Sequence, residues 1–178
     1  MEYHITHLLR DVTWIVKDDP IIGAEVISPN DTQRLSVQEA YGDRFIIDDK
    51  QITLVFPIIQ YRETPKGERK GTWKFISLQY NIQKEPLTAS DVINMIYEFY
   101  HRKITYEEYI QYGFEWVGNW VEEEEEEGEE GEEGEEVENK LTFGLLIPSD
   151  YQKFVGLVEI VNGVYFVALS NKGHTYKY

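Results

Sequence analysis

The chain of 178 residues contains no cysteine, which excludes disulfides, thiolate metal sites and a cysteine nucleophile. It also lacks any apolar run near the ~20 residues that a membrane-spanning helix needs. Residues 1–4 show neither the basic nor the apolar region of a secretory signal peptide. We therefore expect an intracellular protein without a membrane segment.

Sequence motifs of several common enzyme classes are missing as well. There is no G-x-S-x-G nucleophile turn, no G-x-G-x-x-G loop and no P-loop. His4, His7, His101 and His174 are too dispersed to predict a metal site. We expect no catalytic, cofactor-binding or metal-binding residues and no cofactor. An enzyme whose site forms only in the fold, around His101 or His174 with carboxylate partners, remains the alternative.

Basic charge is absent from residues 122–138, which hold 13 glutamates. Setting these aside leaves 20 of the 33 acidic residues against 17 basic ones, so that the net charge changes from −16 to −3. The rest of the chain is therefore nearly neutral. This balance argues against a general binder of nucleic acids or of anionic membranes.

The acidic tract itself permits two interpretations. A like-charge block of this length is typical of a disordered loop, and such a polyanion can capture a basic protein, as an acidic chaperone-like binder would. Alternatively, it is a tolerated insertion, because each doubling of loop length costs only about 0.6 kcal/mol. If the tract is functional, we expect contacts from its first six residues, Glu122, Glu123, Glu124, Glu125, Glu126 and Glu127.

Short runs of β-branched and aromatic residues predict strands through most of the chain. The predicted strands are residues 12–16, 21–27, 34–40, 44–47, 51–61, 73–82, 141–147, 154–160 and 164–169. The apolar parity changes between Phe75 and Ile76, which predicts a β-bulge there. Asn162-Gly163 predicts a type I′ hairpin, and its second strand is apolar on both faces, which predicts a central position in the sheet.

Two helix starts carry the same capping pattern. Thr88 is followed three residues later by Asp91, and Thr105 is followed by Glu108. In such a capping box the hydroxyl accepts from the backbone amide while the carboxylate reaches back to the cap. The apolar residues that follow Thr88 recur at helical spacing. We therefore predict a main helix of about three to four turns and then a shorter helix.

Together these patterns predict a single α+β domain over residues 1–178. It consists of an antiparallel, twisted sheet of seven or more strands, with one main helix and a shorter second helix packed on it. The acidic disordered loop, residues 122–139, is inserted between the helices and the last strands.

Residues 87–109 (LTASDVINMIYEFYHRKITYEEY) resemble a domain family of large DNA viruses that has no known function, and a similar fungal family. In that family a Thr-capped helix with an aromatic end is followed by a second helix start. The strand pair at residues 154–169 also resembles the family's terminal strands. About a third of the chain is covered. The resemblance implies a viral or virus-like α+β domain and implies no activity or functional residue.

Two further clusters are candidate interaction sites. Lys66, Arg69 and Lys70 lie in or beside the predicted hairpin loop at residues 64–71, where they could contact phosphate or an acidic partner. Trp116 and Trp120 precede the acidic tract and suit a protein-binding surface. The alternatives are a solvated hairpin tip and a covered core, respectively. We expect a non-enzymatic protein-interaction or structural module.

Overall fold

The computed structural model describes residues 7–27, 33–63, 66, 68–82, 86–112 and 141–170. Ten strands are present among them: β1 (His7–Leu8), β2 (Val12–Ile15), β3 (Glu25–Ile27), β4 (Arg34–Ser36), β5 (Phe45–Ile47), β6 (Gln51–Glu63), β7 (Arg69–Asn81), β8 (Leu87–Thr88), β9 (Lys153–Val161) and β10 (Val164–Ser170). The helices are α1 (Pro20–Gly23), α2 (Val37–Tyr41), α3 (Ala89–His101) and α4 (Tyr106–Tyr112), with 3₁₀ turns at Phe143–Leu146 and Ser149–Tyr151.

The main sheet has the strand order β4-β3-β2-β9-β10-β6-β7, and β1 also pairs with β9. The strands β5 and β8 form a separate two-stranded sheet. Every strand pair is antiparallel except β10–β6. The predicted α+β class is confirmed, and the one parallel pair makes the sheet mixed. The C-terminal hairpin β9–β10 lies at the centre, as its apolar faces predicted.

The hairpin β6–β7 forms one edge of the sheet. Its pairing runs without a break from Gln51–Asn81 to Glu63–Arg69. The predicted bulge at Phe75 and Ile76 is therefore wrong. The side chains of β7 that point away from the helices are aromatic at one end of the strand and polar at the other. This difference produces the change in the parity of the apolar residues.

The turn between β9 and β10 is a two-residue loop, as predicted, but not of type I′. Gly163 has φ +73°, whereas Asn162 is not among the described residues with positive φ. The ladder then skips Ile160, since Tyr165 pairs with Glu159 after Val164 pairs with Val161. A bulge beside the glycine supplies the twist that a type I′ turn would have supplied.

Helix α3 covers one face of the sheet and begins at the predicted cap. The Thr88 hydroxyl accepts from the Asp91 amide at 3.2 Å, and the Asp91 carboxylate accepts from the Thr88 amide at 2.8 Å. The apolar stripe of α3 is buried: Val92, Ile93, Ile96, Phe99 and Tyr100. The second box is also present, because Glu108 accepts from the Thr105 amide at 3.1 Å and α4 follows.

Three segments predicted as strands are wholly or partly helical instead. In residues 21–27 only Glu25–Ile27 is a strand, because Pro20 at the first helical position and the Asp19 cap begin α1 (Pro20–Gly23). Residues 34–40 form the short β4 and then α2, because Ser36 and Glu39 form a capping box. Residues 141–147 contain a 3₁₀ turn that lies against the end of α3, where a Cβ on Gly144 would be 2.8 Å from the Tyr100 carbonyl oxygen. Short apolar runs do not distinguish strand from buried helix by periodicity.

We expect Thr88→Ala to lower the free energy of unfolding by about 1 kcal/mol, because the Asp91 amide loses its acceptor at the start of the main helix. Urea denaturation followed by circular dichroism measures the change. Glu98→Ala, on the exposed side of the same helix, is the matched control and should change stability by less than about 0.5 kcal/mol. Equal effects of the two substitutions would contradict a role for the cap.

Candidate functional site

The predicted interaction residues fall partly within the described chain. Lys66 and Lys70 are exposed at the tip of the β6–β7 hairpin and at the start of β7, as predicted for a hairpin loop. Arg69 is in β7 opposite Glu63, but its side chain is outside what the structure describes. The remaining predicted residues lie outside the described residues: Trp116, Trp120, Glu122, Glu123, Glu124, Glu125, Glu126 and Glu127.

The sheet face opposite α3 carries apolar side chains, and we call it the open face. Phe75 contacts Phe166 of β10 at 5.6 Å between ring centroids, and Trp73 contacts Tyr151 at 5.4 Å. Phe75 is 57% exposed and Trp73 is 38% exposed. Val55, paired with Phe166 in the neighbouring strand, is half-buried beside them. The open face therefore presents aromatic rings to solvent among the described residues.

Three lysines lie at the tip of the β6–β7 hairpin and along its edge strand, close to the aromatic end of the open face. Lys66, Lys70 and Lys74 are all exposed, but Lys70 and Lys74 share the parity of Ile76 in β7 and so point to the opposite side of the sheet from Trp73 and Phe75. None of the three forms an ion pair with another described residue. Aromatic surface and unpaired positive charge thus occur together at one end of the hairpin.

A second candidate site forms where β1 leaves β9. Leu8 pairs with Leu157, but the next pairing to β9 is Trp14 with Phe154, so the chain bulges outward between them. Leu9 in this bulge has φ +55°, the only positive φ of a described residue other than glycine. The left-handed conformation is costly for a leucine, and such strain persists where the surrounding structure holds it.

The bulge is held against Gly156 of β9. A Cβ on Gly156 would be 3.0 Å from the Leu8 carbonyl oxygen and 3.3 Å from the Arg10 Cα. Gly156 itself has φ +130°, a conformation that L side chains rarely adopt. Glycine is therefore required at this position for two independent reasons.

Beside the bulge is a cavity of about 580 Å³, which we call the bulge pocket. The Tyr41 hydroxyl donates a hydrogen bond to the Asp11 carboxylate and so ties α2 to the bulge. Burial and then this bond raise the pKa of Tyr41, against the opposing charges of Arg44 and Arg10. The pocket is lined by residues of β1, the bulge and the α2–β5 region: His7, Leu8, Leu9, Arg10, Asp11, Tyr41, Arg44, Phe45 and Ile46.

His101, the candidate of the enzyme alternative, is engaged by backbone groups. Its Nδ1 is 2.9 Å from the Tyr97 carbonyl oxygen and its Nε2 is 3.0 Å from the Lys17 carbonyl oxygen. Carbonyls only accept hydrogen bonds, so neither nitrogen faces a carboxylate partner. His174, the other candidate, lies outside the described residues.

In the parts of the chain that the structure describes, no group of three or more histidine, aspartate or glutamate side chains is arranged to hold a metal ion. None of the helices within those parts is long and apolar enough to cross a membrane.

Sequence reasoning missed the bulge pocket because its residues come from two segments about 30 positions apart, joined only by the fold. No spacing or motif indicates that Arg10 and Arg44 line the same pocket. The open face did leave a signal, namely the change of parity at Trp73 and Phe75, which was interpreted as a bulge rather than as a second apolar face.

No protein-family model, curated protein or solved structure in the comparisons matches this chain. The resemblance to the viral and fungal families therefore stays a prediction.

We expect Gly156→Ala to destabilise the protein by about 1–3 kcal/mol, because the new Cβ meets the bulge backbone at a left-handed φ. Gly42→Ala is the matched control. Gly42 also has a positive φ, +55° with ψ −139°, a conformation outside the left-handed helical region, but the nearest atom to its Cβ would be 4.0 Å away. Gly42→Ala therefore carries a conformational cost of about 1–3 kcal/mol without the steric clash that is added at Gly156. Thermal unfolding of both variants tests this, and a smaller loss for Gly156→Ala than for Gly42→Ala would contradict it.

Proposed function

We propose that this protein is a non-enzymatic protein-interaction module whose open face binds an acidic protein segment carrying aromatic or aliphatic side chains. The observation that supports this proposal most directly is the exposed Trp73 and Phe75 beside unpaired lysines. A viral origin belongs to the same proposal, and its one support is the resemblance at residues 87–109.

The apolar character of the open face favours a binding role. An antiparallel sheet with one face in solvent normally carries polar residues on that face. Here Phe75, Trp73 and Tyr151 are exposed by 57%, 38% and 37%, and Ile160 and Val161 of β9 by 56% and 60%. Aromatic side chains supply much of the binding energy at protein interfaces, and larger contiguous apolar patches mark such interfaces.

The charge beside the open face favours an acidic partner over a basic one. Lys66, Lys70 and Lys74 carry positive charge at the hairpin tip and along the edge strand β7, whereas Glu68 is the only acidic residue with a described side chain near them in the hairpin. Because Lys70 and Lys74 point to the other side of the sheet from Phe75, a partner that contacts both wraps around the edge of β7. Complementary charge at an interface accelerates association and excludes partners of the same sign. We expect a partner that places carboxylates beside the lysines and an apolar side chain on Phe75.

This chain contains a sequence with the required chemistry. Residues 114–127 read FEWVGNWVEEEEEE, with Trp116 and Trp120 followed by six glutamates. A second copy of the chain is therefore one partner that fits, and an unrelated acidic protein is another. The proposal specifies the chemistry of the partner. A measurement of the oligomeric state distinguishes a second copy of the chain from an unrelated acidic protein.

We expect a synthetic peptide of residues 114–127 to bind the protein, and Phe75→Ser to weaken this binding at least tenfold, about 1.4 kcal/mol. The reason is the loss of the most exposed aromatic ring of the open face. Fluorescence anisotropy of a labelled peptide measures the dissociation constant. Ile110→Ser, which removes a 59% exposed apolar side chain from α4, is the matched control and should leave affinity unchanged.

A peptide with glutamine in place of the six glutamates tests the role of charge. It should bind more weakly at low salt, and the difference should shrink as ionic strength rises. Sedimentation of the whole protein then shows whether a second copy is the partner. Equal affinity of wild type and Phe75→Ser for the acidic peptide, or equal affinity of both peptides at low salt, would overturn the proposal.

The acidic tract supports a second candidate function, capture of a basic protein. The observation in its favour is the concentration of 13 glutamates without a basic residue in residues 122–138. Such a polyanion attracts positive charge over distances set by ionic strength. This role can coexist with an open face that binds an unrelated acidic protein, but it competes for residues 122–127 when the partner of the open face is a second copy of the chain.

We expect the full chain to bind a lysine-rich histone-like protein at low salt, and a variant lacking residues 122–138 to lose this binding by tenfold or more. Isothermal titration calorimetry at two salt concentrations measures it, since an electrostatic complex weakens steeply with salt. Circular dichroism of the deletion variant controls for folding. Retained binding by the folded deletion variant would identify the tract as a tolerated insertion.

A further inference from the structure

We propose that the bulge pocket is a binding site for a small phosphomonoester that carries a planar or apolar group, such as a nucleoside monophosphate. The pocket is distinct from the open face and from the acidic tract, and the proposal does not depend on the function assigned to either. Three features of the pocket support it: two arginines that form no ion pair with a described residue, an apolar wall, and a rigid backbone around the bulge.

The described arginines differ in whether they form an ion pair. Of those whose side chains the structure describes, Arg34 pairs with Glu25 at 2.9 Å and Arg102 pairs with Glu108 at 2.5 Å. Arg10 and Arg44 line the bulge pocket and form no ion pair with a described residue. The pocket therefore combines the two described arginines that lack a carboxylate partner.

Both arginines line the same pocket, Arg10 from the bulge and Arg44 from the segment between α2 and β5. The one carboxylate in the lining, Asp11, accepts a hydrogen bond from the Tyr41 hydroxyl and keeps its negative charge. Two guanidinium groups and one carboxylate leave the lining with a net positive charge. Because neither guanidinium forms an ion pair with a described carboxylate, both can contact an anion that enters from solvent.

The number of arginines favours phosphate over a single carboxylate. One guanidinium can engage both oxygens of a carboxylate in a bidentate pair. A phosphomonoester has three terminal oxygens and carries a charge of about −1.5 to −2 at neutral pH, so it can accept from two guanidinium groups at once. Arginine is also the side chain best suited to such forked contacts.

One wall of the bulge pocket is apolar. Phe45 is 51% exposed on the pocket side of β5, and Leu8 and Ile46 are half-buried beside it. The backbone of Phe45 is held by pairing with Thr88 of β8. The exposed ring is attached to a fixed backbone and can stack on a planar group. The volume of about 580 Å³ falls in the range of about 300–1,000 Å³ that is typical of small-molecule sites.

The backbone of the bulge is held in place by other parts of the fold. Gly156 contacts the backbone on both sides of the strained Leu9, and the Tyr41–Asp11 hydrogen bond ties the bulge to α2. Arg10 is therefore attached to a backbone that is held from two directions. Pre-organised cationic groups bind an anion with less loss of conformational entropy than mobile ones.

The test is titration of the full chain with adenosine monophosphate, adenosine, inorganic phosphate and succinate, followed by NMR chemical shifts. We expect adenosine monophosphate to bind most tightly, with shifts at Arg10, Tyr41 and Phe45. Inorganic phosphate should bind more weakly at the same residues. Adenosine or succinate binding as tightly as adenosine monophosphate would overturn the assignment, as would the absence of binding by any phosphate.

Variants locate the binding. Arg10→Gln and Arg44→Gln should each weaken adenosine monophosphate binding about tenfold, because each removes a charge-assisted contact. Both residues are exposed, so the substitutions should preserve the fold. Arg34→Gln removes an equal charge outside the pocket and should leave affinity unchanged. Phe45→Leu should weaken the nucleotide and leave inorganic phosphate unaffected. Unchanged affinity in Arg10→Gln and Arg44→Gln would sink the proposal.

Discussion

The fold depends on an aromatic stack that joins α3 to the sheet. Phe99 of α3 stacks on Phe56 of β6 with 3.8 Å between ring centroids and on Phe143 at 4.7 Å. The adjacent Tyr100 donates a hydrogen bond to the Pro57 carbonyl at 3.2 Å. Phe56, Phe99, Tyr100 and Phe143 are all buried. Burial raises the pKa of Tyr100. One helix, one strand and one 3₁₀ turn are thereby fixed at a single point, and the other face of the sheet receives no comparable layer among the described residues.

This one-sided construction explains why both candidate surfaces arise where they do. The open face exists because α3 covers only the opposite side of β6 and β7. The bulge pocket exists because β1 and β2 contact the same central strand out of register, which forces the chain outward at Leu9. A sheet that was regular and covered on both sides would have neither. Function in this molecule is accordingly expected at departures from regularity rather than in the core.

The sequence predicted those features that depend on local chemistry. The start of α3 was predictable because Thr88 and Asp91 contact each other over three residues, and the hairpin at Gly163 because a glycine there needs no long-range partner. The parallel β10–β6 pair was not predictable, since direction is set by residues over 100 positions apart. The bulge pocket was unpredictable for the same reason, and α2 was missed because its apolar residues suit a strand equally well.

The hairpin β9–β10 has a consequence for the order in which the protein forms. It separates β2–β3–β4 from β6–β7 in the sheet, so the N-terminal strands and the long hairpin do not touch edge to edge except through residues 153–170. During synthesis these two parts emerge before residues 153–170. The main sheet is therefore expected to form completely only after that hairpin has emerged, and the strand edges that pair with it stay exposed until then. The acidic tract precedes that hairpin in the chain, so the nascent protein carries its greatest net negative charge when its unpaired edges are most open to aggregation.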